Sequence, residues 1–248
     1  LIGTPDAPTL FDVCIDEDFD QDPRLIPSAR RVPHTEIIDH SQGLTRAVVT
    51  CQKGMKLSHG AAAHLRAHGV KADVLADGMV AWRRADLPLI PAQALRGPLW
   101  VTRHRPKIDR IACPWLIRRF IDPAARFLFV PPAEVLAVAD RFDATAFDAP
   151  GAPFSDTKDG CTFDALLDGF SLHFQPLDDL AKVIRAADTG ALETAPQAAG
   201  LLAAAIGFSK MYKDDQAQLA ASLPLYDALY RWARDGQSET HGHAEPAQ

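Results

Sequence analysis

The sequence predicts an α/β amino-terminal domain over residues 1–90, followed by a helix-rich, mixed α/β domain over residues 99–236. Three observations carry this expectation. Up to about Leu89, short β-branched runs alternate with helical patterns, the signature of a mostly parallel sheet covered on both faces. Residues 86–98 (DLPLIPAQALRGP) then gather three prolines and a glycine, a composition that reads as a linker. Beyond it, apolar residues recur at helical spacing, beginning with Ile108, Ile111, Ala112, Trp115 and Leu116.

In chain order, the first domain is expected to hold strands at residues 9–13, 31–33, 47–50 and 72–75, with helices at 58–68 and 79–85. Gly69 suits the position just past the first of these helices, because glycine accepts the left-handed conformation that closes a helix. In the second domain Pro114 falls inside a helical pattern, so either a kink or a new helix start is expected there. Strands are expected at 100–102, 126–130 and 145–147, and helices at 133–141, 162–167, 176–187, 196–206 and 214–234. The polar residues from Gln237 onward read as disordered.

Composition excludes some function classes. The net charge of −6 disfavours nucleic acid and anionic membranes as partners. No apolar run approaches the roughly 20 residues of a membrane span. The first residues carry no basic region ahead of an apolar stretch, so no secretory leader is expected; the abrupt start near a strand suggests residues upstream. The four cysteines, Cys14, Cys51, Cys113 and Cys161, form no C-x-x-C pair and are expected as reduced thiols in a cytoplasmic setting.

The strongest local signal is RAVVTCQKGMKLSHGAAAHLRAHG, residues 46–69. An apolar strand runs into Cys51, a short loop follows, and a helix begins. The sulfur is thereby placed at the carboxyl end of a parallel strand and at a helix N-terminus, where unpaired N–H groups and partial positive charge favour thiolate. Lys53 and Lys56 add charge, and the N–H groups suit a bound anion. The competing reading is a buried structural cysteine, which Gly54 and two lysines in the loop argue against.

This stretch resembles the active loop of the rhodanese family, Cys-x-x-Gly-x-Arg-Ser before an Ala-rich helix; here it reads Cys51-Gln-Lys-Gly54-Met-Lys56-Leu57, then Ala61, Ala62 and Ala63. LFDV (residues 10–13), LIPSARRVP (25–33) and LADGMVAWRRADLP (75–88) resemble flanking segments of that family in the correct order. The resemblance implies a parallel five-stranded domain and a Cys51 persulfide. It also implies substrate contacts from Gln52, Lys53, Gly54, Met55 and Lys56, a small sulfur-donor anion, a thiol or cyanide acceptor, and no cofactor. Lys56-Leu57 in place of Arg-Ser, Ser28 in place of a glycine, and Cys14 in place of an arginine are departures that bear on substrate choice. A phosphatase of the Cys-x5-Arg type is not expected: its arginine binds phosphate bidentately, Leu57 stands at that position, and the loop is one residue too short. Cys14, at the end of a strand expected to neighbour that of Cys51, is a possible resolving thiol; the competing reading is a small buried residue.

In the second domain Arg103, Arg105 and Lys107 are the oxyanion candidates of a basic cluster that also holds Arg110, Arg118 and Arg119; the competing reading is a solvated, acid-paired face. TRHRPKIDRIACPWLIRRFID (102–122), GCTFDALL (160–167), RAADTG (185–190) and APQAAGLLAAAIGFSKMYKDD (195–215) resemble the carboxy-terminal domain of bacterial chromate-resistance proteins, with similarity over about residues 100–233. That resemblance implies a role in chromate resistance, with chromate a possible partner. His104, Asp109, Cys113, Asp156, Cys161, Asp164, His173 and Asp188 are ligand types, but their spacings match no zinc pattern, so no metal is expected. His241 and His243 read as an adventitious metal catch. Two functions follow: a sulfurtransferase using Cys51, or a chromate or thiol-redox sensor in which turnover is incidental.

Overall fold

The computed structural model describes residues 1–158 and 160–239; His241, His243 and the other residues from 240 on lie outside the described residues. Gln237 is held by its side-chain amide, which donates to Asp179 Oδ2 at 2.8 Å and to the Ala233 carbonyl at 2.9 Å. The chain divides into two compact units. One takes Leu1–Leu99, Leu116–Arg126 and Gly169–Leu172; the other takes Trp100–Trp115, Phe127–Asp168 and the residues from His173 on. No helix among the described residues is long and apolar enough to cross a membrane.

The first unit runs β1 (Thr9–Asp12), α1 (Asp16–Phe19), β2 (Arg24–Leu25), β3 (Arg30–Arg31), β4 (Arg46–Thr50), α2 (Lys56–Ala67), β5 (Lys71–Val74), α3 (Gly78–Arg84) and β6 (Ile90–Pro91). Its main sheet has the order β3-β1-β4-β5, with every pair parallel. Four described strands stand where the family resemblance implied five. The additional strands, β2 and β6, form a separate antiparallel pair of two residues each. Pro23, Pro27 and Pro91 lie in or beside this pair, and proline cannot donate to a ladder, which keeps it short. Phe11 and Val49 of the sheet and Leu65 and Met79 of the helices are almost fully buried and belong to the core of this unit.

The parallel register pairs Asp12 with Thr50 and Val49 with Val74. The carboxyl ends of β1, β4 and β5 therefore share one edge, where ligands bind in open parallel sheets. Cys14 and Cys51 both follow strands at that edge.

Residues 86–98 are not the loose linker their composition suggests. Ile90 is fully buried, Ala92 N donates to the Pro23 carbonyl at 3.0 Å, and Trp82 Nε1 donates to the Pro88 carbonyl at 2.9 Å. The segment belongs to the first unit, and its prolines present carbonyls and fixed backbone to it.

The second unit runs β7 (Leu99–Arg103), α4 (Asp109–Leu116), β8 (Arg126–Val130), α5 (Val135–Phe142), β9 (Thr145–Ala146), α6 (Thr162–Phe170), α7 (Gln175–Thr189), α8 (Ala198–Met211) and α9 (Asp215–Arg231). Its three-stranded sheet has the order β8-β7-β9. Pro114 sits inside α4, and the helix widens into a π-turn over Ile117–Ile121 one turn later. The irregular backbone ahead of α4 is satisfied by α9: Gln218 Nε2 donates to the Pro106 carbonyl at 2.6 Å and the Tyr226 hydroxyl to the Ile108 carbonyl at 3.0 Å.

The cysteine loop is clasped by the turn into α3. Met79 N donates to the Cys51 carbonyl at 3.1 Å, and Val80 N to the Gln52 carbonyl at 3.0 Å. Gly54 (φ +61) and Gly78 (φ +57) lie backbone against backbone; a Cβ on Gly54 would stand 2.6 Å from the Leu75 carbonyl oxygen, and one on Gly78 would overlap the Cys51 carbonyl oxygen. Gly78→Ala is therefore expected to destabilise the chain by about 2 kcal/mol or more in urea unfolding, since strain at positive φ adds to the overlap. Gly60→Ala, in an open position of α2, should instead stabilise by roughly 0.5–1 kcal/mol.

Candidate functional site

Cys51 follows the last residue of β4 and precedes the first turn of α2. That first turn holds no acidic residue, so the positive end of the helix is uncompensated where it meets the sulfur. The Ser58 Oγ lies 3.3 Å from Cys51 Sγ. The same hydroxyl lies 3.0 Å from the Met55 carbonyl and donates to it. Burial by itself pushes the Cys51 thiol up, but the Ser58 hydroxyl and the N–H groups of Ser58, Met55 and Lys53 outweigh it, so the thiol is lowered from its ordinary value. These groups make an anion cradle centred on sulfur.

The expectation of an open loop is half met. Lys53, Met55 and Lys56 are exposed, whereas Cys51 is only 4% exposed. The loop is drawn against the start of α3, where Met79 N and Val80 N hold the Cys51 and Gln52 carbonyls, and the cysteine lies buried beside that contact. Gln52 is held sideways, its Oε1 accepting from Arg83 Nη1 at 3.1 Å. Gly54 serves backbone geometry. Lys53 and Lys56 stand on the exposed rim. Ser58 is the residue that sequence reasoning missed. Its signal was a serine in the first turn of the helix, one place beyond the motif's own serine position.

Cys14 is buried and free. Its N–H donates to Asp12 Oδ1 at 2.8 Å, and Asp12 is itself 1% exposed. Burial, then the Asp12 carboxylate and Cys51, push the Cys14 thiol well up. Cys14 is thus a protonated thiol in the core at neutral pH, the less reactive of its two expected states. Arg31, from β3, reaches back to the Cys14 carbonyl at 3.3 Å and pairs with Asp16.

In the second unit the candidate oxyanion residues do not converge. Arg103 donates from Nε to the Asp148 carbonyl at 2.7 Å and from Nη2 to Asp148 Oδ1 at 2.8 Å. Arg105 donates to the carbonyls of Ser209, Tyr212 and Lys213, binding the C-terminal end of α8 where carbonyls lack helical partners. Lys107 is exposed. Arg110 also binds Asp148, at 3.1 Å, so that acid is neutralised by two guanidinium groups.

Of the eight ligand-type residues, the fold brings three together. Asp109, Asp156 and Asp188 each present a carboxylate oxygen within 4.8 Å of the others. Burial first, then Asp188 and Asp148, raise the Asp109 carboxyl well above its ordinary value, against the weaker opposing pull of the Cys161 thiol and the Phe163 N–H. Cys113 and Cys161 are buried, free thiols, both pushed up by burial, then by Asp109. Asp164 forks with Arg185 at 2.6 and 2.8 Å, and His173 lies between Asp168 and Asp178.

Several known proteins are similar to parts of this chain. The rhodanese-like domain protein of Staphylococcus aureus is 26% identical over 31% of this chain and 74% of its own, with a TM-score of 0.27. Thiosulfate sulfurtransferase of Pseudomonas aeruginosa is 25% identical over 38% of this chain and 18% of its own, with a TM-score of 0.31. At such scores the rhodanese likeness rests on the loop residues and the sheet order given above. Protein ChrB of Cupriavidus metallidurans is 38% identical over 136 residues, 54% of this chain and 40% of that protein. The chain therefore matches less than half the length of that relative. A family model described as "ChrB, C-terminal domain" matches residues 100–233, more than half of the 248 residues. By that match the chain belongs to the ChrB C-terminal domain family.

Proposed function

We propose that the first unit is a sulfurtransferase that carries sulfur as a Cys51 persulfide, in a chain whose second unit ties it to chromate resistance. The observation that carries this reading is the convergence of the Ser58 hydroxyl and the N–H groups of Lys53, Met55 and Ser58 on one sulfur. The Cys51 thiolate attacks the outer sulfur of a donor such as thiosulfate. A new S–S bond forms, the donor S–S bond breaks, and sulfite leaves with the bonding pair. Cyanide or a thiolate then attacks the terminal persulfide sulfur and returns Cys51 as thiolate. No external oxidant is needed. Lys53 and Lys56 on the rim draw the anionic donor, and the cradle holds negative charge on whichever sulfur bears it. The proposed setting is the reducing cytoplasm, where all four thiols stay free. Chromate is the proposed stress rather than a ligand of Arg103 or Arg105, whose guanidinium groups engage Asp148 and the end of α8.

One observation favours a second reading as a thiol-redox sensor: Cys51 is only 4% exposed, which slows exchange with bulky donors. Steady-state thiosulfate:cyanide turnover separates the two. Turnover that disappears in Cys51→Ser is expected of the enzyme; a wild-type chain without turnover overturns it.

The pH dependence of iodoacetamide labelling at Cys51 should show a midpoint below the roughly 8.5 of a free thiol. The sign is set by the groups that stabilise thiolate, so Ser58→Ala should raise the midpoint. A midpoint unmoved by that change removes Ser58 from the cradle. Lys56→Ala should lower kcat/KM for thiosulfate by about threefold to tenfold at low salt, with less effect on a neutral persulfide donor. The difference should shrink at high ionic strength, because an exposed charge acts through a screened field.

A further inference from the structure

We propose that Asp109, Asp156 and Asp188 form a binding site for a hard divalent cation in the second unit. Asp109 opens α4, Asp156 lies in the loop ahead of α6, and Asp188 sits in the last turn of α7, far apart in sequence and together in space. Capping explains only part of the cluster. Asp109 Oδ2 accepts from Phe163 N at 3.2 Å, and Asp156 Oδ1 accepts from Thr162 N at 3.0 Å and from its hydroxyl at 2.8 Å, all at the start of α6. Asp188 faces the backbone N–H of Asp109.

What capping leaves over is a buried oxygen. Asp109 is 2% exposed, and its Oδ1 meets no N–H or O–H donor among the described residues; the weak Cys161 thiol is the side chain that eases its charge. A buried carboxylate oxygen without such a donor is unfavourable unless an opposite charge meets it, and here two further carboxylates face the same group. Arg103 and Arg110 form their ion pairs with Asp148, and of the two only Arg110 acts on Asp188, against burial and the charges of Asp148 and Asp156. The last turn of α7 carries no basic residue, and the negative end of the helix dipole adds to the potential beside Asp188.

The spacing fits an ion. Oxygen ligands at roughly 2.4 Å from Ca²⁺ stand about 3.4 Å apart when adjacent and about 4.8 Å apart when opposed. The three carboxylate oxygens lie within 4.8 Å of one another. An all-oxygen set selects hard cations, Ca²⁺, Mn²⁺ or Mg²⁺, over zinc or copper. Asp156 and Asp188 are exposed, giving the ion a route in from solvent.

The test is calorimetric titration of the full chain with CaCl₂, repeated with MnCl₂. Ca²⁺ is the primary probe, because it discriminates against the nitrogen ligands of His241 and His243. Saturable binding of one ion per chain is expected, with a rise in the thermal midpoint. Asp188→Asn and Asp156→Asn should each weaken binding at least about tenfold, as loss of a direct ligand exceeds the outer-shell effect. Both positions are exposed, and the amide introduced by Asp156→Asn would keep the oxygen that caps α6, so both variants should fold. Asp168→Asn, at an exposed acid outside the cluster, should leave binding unchanged. Absence of saturable binding for both ions, or binding that is unaltered in Asp156→Asn and Asp188→Asn, overturns the proposal.

Discussion

The first unit depends on a contact between two stretches of bare backbone. Gly54, in the cysteine loop, lies against Gly78, at the start of α3, where no side chain fits between them. The first N–H groups of α3 donate to the carbonyls of Cys51 and Gln52, and this satisfies helix-end donors that would otherwise face water. The loop is thus fixed from outside by one helix start, while the start of α2 supplies the groups around the sulfur. Two helix N-termini divide the work: one holds the loop carbonyls, the other faces the thiol.

Much of this was legible in the residues. A cysteine directly after an apolar strand and ahead of an Ala-rich helix fixes the sulfur's place once the strands are parallel. DGMVAW supplies the second glycine with its helix. Ser58 was not legible, because serine in a first helical turn is common for capping alone. Only the observed proximity to Sγ distinguishes it. The β2–β6 pair was hidden by its two-residue length and its prolines. Residues 86–98 were misread because composition reports irregular backbone, not whether that backbone is bonded to something.

The second unit was less legible, for a different reason. Its polar residues work across long sequence separations. Arg103 meets Asp148, Arg105 meets the end of α8, and Asp109 meets Asp188. No spacing rule connects such pairs, whereas the helices themselves announce their apolar faces. The basic run from Arg103 to Arg119 therefore looked like one patch. In the fold Arg103 and Arg110 share Asp148, Arg105 goes to the end of α8 and Arg118 to the Ala125 carbonyl, and the acids collected around Asp109 form the more concentrated feature.

The hydroxyl of Ser58 has one hydrogen and two claimants, the Cys51 sulfur and the Met55 carbonyl. It can serve only one at a time. An anionic sulfur is the stronger acceptor and draws the hydrogen away from the Met55 carbonyl. With a neutral sulfur the carbonyl is the better acceptor. The Met55 carbonyl also accepts from His59 N at 2.9 Å, so it keeps its helical bond whichever way the hydroxyl points, and the rotor is free to answer the charge on sulfur without loosening the start of the helix.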